Sequence, residues 1–225
     1  MMLFSALRAR HPGAPLWLIL WWCLLHFFCY LFVSLFYRYR AWGAAEIPES
    51  GPVLFVSNHQ SFLDPILVGV AGHKRQFYAM ARSTLWSNRL LAWVIDSLNG
   101  VPVERSSADV KALRRCLEVL QGGQALLLFP EGTRTPDGKT RAFSPGLMLL
   151  LKRARPKVVP VAIEGAFAVW PRTRKRPHLG GRIGVMYGRP IDPYVLLDMP
   201  VPEALEMLRR QVETMRLEVA RRLAR

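Results

Sequence analysis

The run NHQSFLDP, residues 58–65, places His59 and Asp64 five positions apart, directly after the apolar stretch VLFV. A neutral imidazole, with an ordinary pKa of about 6.5, can take up a proton at neutral pH. A carboxylate beside it can fix its tautomer and stabilise the imidazolium that forms. With a strand over 53–57 and a helix beginning near Ser61, His59 falls in the turn at the strand end and Asp64 in the first helical turn, from which its side chain can reach back. Open α/β sheets place ligands at such strand ends. The plainer alternative is that Asp64 supports the helix N-terminus while His59 hydrogen-bonds backbone.

Three further segments put reactive or anion-binding residue types at the ends of strand-like runs. FPEGTR, residues 129–134, carries Glu131 and Arg134 around Gly132. The planar fork of an arginine gives bidentate, charge-assisted hydrogen bonds to phosphate, and a glycine lets backbone approach a ligand closely. GVPVER, residues 100–105, ends in the same way on Arg105. VVPVAIEG, residues 158–165, holds Pro160 inside an apolar run, which predicts an edge strand or a bulge. Each has a bland counterpart: Arg105 can pair with Glu104 or Asp109, Glu131 can simply neutralise Arg134, and Pro160 can end its strand. The hydroxyl of Ser61 suits a helix start, and no GxSxG elbow marks a nucleophilic serine.

The elements that must position these residues read as α/β. Short β-rich runs at 53–57, 76–81, 101–104, 125–129, 158–163 and 183–187 predict a single mixed, mostly parallel sheet flanked by helices. SSADVKALRRCLEVLQGG, residues 106–123, opens on Ser and Asp, spaces Val110, Leu113, Leu117 and Leu120 helically, and stops at Gly122 and Gly123. From Pro202 the spacing of Leu205, Leu208, Val212, Met215 and Val219 predicts a second amphipathic helix packed on the domain. No repeat or linker divides 41–225, which reads as one domain following an N-terminal segment, 1–40.

That segment contains LWLILWWCLLHFFCYLFVSLFY, residues 16–37, without a formal charge. As a helix it is about 33 Å long, against a hydrocarbon core of about 30 Å, so a hydrophobic membrane helix is predicted. A cleaved signal peptide fits less well, because the stretch exceeds the usual apolar region and RYRAWG lacks a small-residue cleavage site. A hairpin in one leaflet is a further alternative, although the run carries no turn signal. Trp17, Trp21 and Trp22 near one end and Tyr30 and Tyr37 toward the other read as interfacial aromatics, and arginines on both sides leave the orientation open by charge.

Composition sets the remaining bounds. The chain has 225 residues and is 51% hydrophobic, enough for a real core and against extensive disorder. Lys and Arg number 31 against 16 acidic residues, and the resulting charge of +15 favours anionic partners. Cys23, Cys29 and Cys116 are odd in number and form no CxxC or Cys/His cluster, so neither a disulfide framework nor a metal site is indicated. A domain facing the reducing cytoplasm from the inner (cytoplasmic) membrane follows. The basic tract at 172–182 lacks the interleaved aromatics of a nucleic-acid surface, and beside an apolar anchor it suits lipid headgroups or substrate steering.

Taken in order, NHQSFLD, GVPVER, FPEGTR and VVPVAIEG resemble the four sequence blocks of the glycerolipid acyltransferase family, most closely the 1-acylglycerol-3-phosphate acyltransferases. The resemblance runs from about Gly43 to Ile191. It implies a one-step transfer from an acyl thioester, acyl-CoA or acyl carrier protein, to the free hydroxyl of a lysophospholipid acceptor in the bilayer, with no cofactor. His59 would be the base and Asp64 its partner. Arg105, Glu131, Gly132 and Arg134 would bind the acceptor's phosphate and glycerol, while Asn58, Pro130, Thr133 and Pro160 would shape the pocket. Many relatives read F-K-x-G where this chain has AFSPG, with Ser144 and Pro145 in that region. Lys139, Arg141 and Lys152 are the candidates to replace that lysine, and a different lysophospholipid or lipid hydroxyl is the alternative acceptor. More distant alternatives are a non-catalytic lipid-binding module and a thioester hydrolase.

Overall fold

A computed structural model describes residues 15–72, 75–104 and 110–225. Arg105 and the start of the segment read as a helix from 106 lie outside them. Among the described residues, a seven-stranded sheet is laid out in the order β1 (Arg40–Trp42), β7 (Gly184–Tyr187), β6 (Lys157–Glu164), β2 (Val53–Ser57), β5 (Ala125–Leu128), β3 (Phe77–Arg82) and β4 (Gly100–Val103). The five strands from β6 to β4 are parallel; β7 is antiparallel to β6, and β1 runs with β7. All six expected strands form, each within a residue of its predicted ends. The short edge strand β1 carries too little pattern in three residues to be seen in sequence.

Strand β2 is fully buried along its length, with parallel neighbours on both sides, hence its unbroken apolar run. Phe55 pairs with Leu127 and Val159. On one face, Val53, Phe55, Leu127, Val161 and Ile163 pack under α1 (Leu16–Tyr37) and α2 (Asp64–Ala71). On the other, Leu54, Val56, Leu126 and Val158 pack under α4 (Val110–Gln121), α5 (Gly146–Ala154) and α8 (Val201–Ala224). Two shorter helices, α6 (Ala166–Val169) and α7 (Pro193–Leu197), follow β6 and β7, and α3 (Arg89–Ser97) precedes β4.

Several expectations are corrected. Helix α2 begins at Asp64 rather than near Ser61, because Pro65, which lacks an N–H, sits in its first turn, where that loss costs nothing. Pro160 lies in an interior strand, not an edge. Its missing N–H falls on the β7 side, between the Val161–Tyr187 pair and the Val158–Ile191 bridge, where four residue steps of one strand oppose three of the other. In α4 the buried stripe is Ala112, Cys116, Val119 and Leu120, with Leu113 and Leu117 flanking it, while Val110 is exposed. Tyr37 is not interfacial: it is buried in the core with Val33, which seats the end of α1 on the sheet.

Candidate active site

The carboxyl ends of β6, β2, β5 and β3, neighbours in the sheet, deliver Glu164, His59, Glu131 and Arg82 to one edge. His59 follows β2 by two residues, and its Nδ1 lies 2.7 Å from Oδ2 of Asp64. That oxygen also accepts the backbone N–H groups of Gln60 at 2.6 Å and Ser61 at 2.7 Å, and Asp64 is wholly buried. An oxygen that accepts two N–H groups carries no proton, so Nδ1 of His59 is the donor and Nε2 the basic nitrogen. The His59 side chain is one-fifth exposed, and among the described residues its Nε2 makes no hydrogen bond.

The segment after β5 clamps this histidine. The backbone N–H of His59 donates to Oε1 of Glu131 at 3.0 Å, and its carbonyl accepts the N–H of Thr135 at 2.8 Å. The imidazole stacks on Phe129, with centroids 4.1 Å apart and planes 16° from parallel. Asn58 is buried and matched to Ile163 of β6: its Nδ2 donates to the carbonyl at 2.9 Å and its Oδ1 accepts the N–H at 2.8 Å. Its side chain thereby extends the β2–β6 pairing by one position and fixes where the turn begins. Gln60, also buried, donates to the Gly138 carbonyl and accepts the N–H of Phe167. The carbonyl of buried Pro130 accepts the N–H of Ser144 at 2.8 Å, which seats the AFSPG segment on the same turn.

Burial raises the pKa of Glu131 to about 7, against a lowering by the backbone N–H groups of His59 and Arg141. Glu131 does not pair with Arg134. Instead, the Arg134 guanidinium lies 3.3 Å above the centre of the Phe62 ring, and its Nη1 is buried without a partner. Burial first, and then the neighbouring Arg82 and Arg172, lower its pKa, against a raising by the Asp64 carboxylate. Three cations thus converge where no carboxylate pairs with them among the described residues, an arrangement that suits an anion. Gly132 and Thr133 are exposed at the turn, and Gly132 has φ +69° with open space where a Cβ would stand.

Phe62 also lines an apolar cavity of about 480 Å³. Its walls come from α1 (Trp22, His26), α2 (Ile66), β3 (Met80) and α3 (Val94, Ile95). The cationic cluster and the apolar cavity therefore share one wall.

Sequence reasoning missed Phe62, Phe129 and Arg82. Phe129 meets the His59 ring, and Phe62 and Arg82 meet Arg134, only because their strand ends are brought together in the sheet. Arg172 was read only as part of a basic tract suited to lipid headgroups or substrate steering. Of the expected residues, His59, Asp64, Asn58, Pro130, Glu131, Gly132, Thr133 and Arg134 gather at the sheet edge, Pro160 stays within β6 directly opposite Val56, and Arg105 lies outside the described residues.

Comparison with known proteins gives concordant matches. Residues 38–164 match the family model described as Acyltransferase. The chloroplastic 1-acyl-sn-glycerol-3-phosphate acyltransferase of Arabidopsis thaliana is 30% identical over 173 residues, 74% of this chain and 48% of that protein. The lyso-ornithine lipid O-acyltransferase of Pseudomonas aeruginosa is 33% identical over 165 residues, 71% of this chain and 60% of that one. The chain spans about half the length of the first curated relatives it matches. The crystal structure of the 1-acyl-sn-glycerophosphate (LPA) acyltransferase from Thermotoga maritima superposes with a TM-score of 0.77 at 26% identity, covering 88% of this chain and 79% of that one.

Proposed function

Because the chain belongs to the acyltransferase family, we propose that it moves a fatty acyl group from an acyl thioester to the free hydroxyl of 1-acylglycerol-3-phosphate, giving phosphatidate. The observation that carries this reading is the position of Phe62, which supports an unpaired arginine on its ring and lines the apolar cavity, three residues from His59. A phosphate and an acyl chain can then be held on either side of one base.

In the proposed reaction Nε2 of His59 takes the proton of the acceptor hydroxyl as its oxygen attacks the thioester carbonyl carbon. The buried Asp64 carboxylate holds the Nδ1 proton and stabilises the imidazolium. The tetrahedral intermediate expels the thiolate, which takes the proton back from Nε2. A thioester is already activated, so neither an enzyme nucleophile nor a cofactor is needed. Arg134, with Arg82 and Arg172 beside it, would neutralise the acceptor phosphate, and the cavity would hold an acyl chain. The donor would be acyl-CoA or acyl carrier protein, and the domain would face the cytoplasm, with α1 in the membrane.

A second acceptor is supported by the 33% identity to a lyso-ornithine lipid O-acyltransferase. The test is to incubate purified protein with labelled acyl-CoA or acyl carrier protein and a panel including lysophosphatidate, lysophosphatidylglycerol and lyso-ornithine lipid, then separate the products. Labelled phosphatidate as the main product is expected. Transfer to lyso-ornithine lipid alone would replace the acceptor, and release of free fatty acid without transfer would replace the reaction class.

A further inference from the structure

We propose that α3 enters the lipid leaflet beside α1, so that the protein grips the membrane through two apolar elements. The proposal rests on the reading that the chain acts on bilayer lipids. Helix α3, RLLAWVIDS, presents Leu90 and Trp93 to solvent, 73% and 49% exposed and three residues apart on one face. On α1, Trp17, Leu20 and Leu24 form a similar exposed stripe around Trp21. Single exposed leucines are ordinary, but these two stripes meet. The rings of Trp21 and Trp93 lie 5.0 Å apart, Trp21 Nε1 donates to Ser97 Oγ at 2.9 Å, and Trp22 Nε1 donates to the Ser97 carbonyl. The outcome is one continuous apolar surface across two helices, of a kind that soluble monomers rarely expose.

The rim of this surface selects the occupant. Arg89 opens α3 and Arg82 ends the preceding strand, both exposed. The single acid of the helix, Asp96, is taken by Trp86 Nε1 at 2.8 Å. An apolar patch with a cationic border matches a leaflet containing anionic headgroups, whereas a second copy of a chain carrying +15 would bring like charges together. The cavity walls supplied by α1 and α3 would then stand within the acyl region, beside the lipids whose chains the cavity would receive.

The test is a nitroxide placed by Leu90→Cys in full-length protein whose Cys23, Cys29 and Cys116 are replaced by Ala, reconstituted in phosphatidylethanolamine/phosphatidylglycerol vesicles. The expected result is shielding of the label from an aqueous nickel chelate and exposure to dissolved oxygen, while a label at Lys152, on the opposite face of the sheet, stays in water. In parallel, Leu90→Glu with Trp93→Glu should slow transfer onto a bilayer-embedded acceptor by roughly 10-fold, since each buried large apolar side chain is worth about that much or more. Transfer onto a monomeric short-chain acceptor should be unchanged. A label at position 90 that stays in water on vesicles overturns the proposal. So does shielding that appears in detergent as the protein dimerises, which would assign the face to a second copy. If neither acceptor is acylated, the proposed reaction fails, while the depth of the label still decides the docking.

Discussion

Asp64→Asn separates the charge of this carboxylate from its geometry. Oδ2 of Asp64 faces three donors, Nδ1 of His59 and the N–H groups of Gln60 and Ser61. An asparagine therefore turns its amide oxygen, not its NH₂, into that position, and the histidine keeps its tautomer. What disappears is the attraction between a carboxylate and the imidazolium that forms as Nε2 takes the proton. Charge centres about 4 Å apart at an effective dielectric of about 20 attract by about 4 kcal/mol. At about 1.4 kcal/mol per factor of ten, kcat should fall by about a thousandfold. Asp64 is buried behind His59, so the acceptor KM should stay within about twofold. The assay is steady-state transfer from labelled acyl-CoA to a monomeric short-chain lysophosphatidate, with a thermal melt to show that the variant is folded. His59→Ala, which removes the base itself, should cost at least as much, roughly 1,000-fold or more. Asp64→Ala should lower Tm as well, because it strands two buried N–H groups. A folded Asp64→Asn protein with kcat within about tenfold of wild type would refute the assignment of the pair as the base.

Other expectations are read from the same site. Arg134→Ala should raise the acceptor KM by roughly 10-fold or more and leave the donor KM unchanged, and Arg134→Lys should rescue only partly, since an ammonium has no planar fork to lay on Phe62; an equal change in both KM values would move the residue to the donor. Burial raises Glu131 from 4.5 to about 7, so the unfolded chain loses this proton first and the group's contribution to stability falls as pH rises through that window, levelling off above it. Glu131→Gln should therefore gain on wild type between about pH 5 and pH 8, by an amount on the order of 1 kcal/mol after allowance for its partial exposure; parallel melting curves across that range would contradict the burial of the charge. Asn58→Ala should destabilise by about 2–4 kcal/mol, because the N–H and carbonyl of Ile163 lose their partners in a buried strand, and an unchanged Tm would mean that water replaces the amide.

The His59–Asp64 pair is legible in sequence because it is local: one strand end, a five-residue spacing and a short helix leave the two residues few ways to avoid each other. The same holds for β2, β5 and β6, whose apolar runs are the direct consequence of burial on both faces. Glu131 and Arg134 could be nominated from their turn, but not their relation to each other. Whether Glu131 neutralises Arg134 or holds the backbone of His59 depends on β5 lying next to β2 in register, which sets Leu127 opposite Phe55. Arg82, Arg172 and Phe62 come from three separate segments, and their convergence depends on strand order, which no local pattern encodes. The apolar helix at 16–37 announces itself by composition, yet composition cannot say which side meets lipid and which meets protein. That was decided by packing: Val33 and Tyr37 enter the core, Trp21 and Trp22 tie down Ser97 of α3, and the residues left over form the exposed stripe. Side-chain type and spacing thus determined the elements and their chemistry, while the long-range register of the sheet determined which chemistries share a wall.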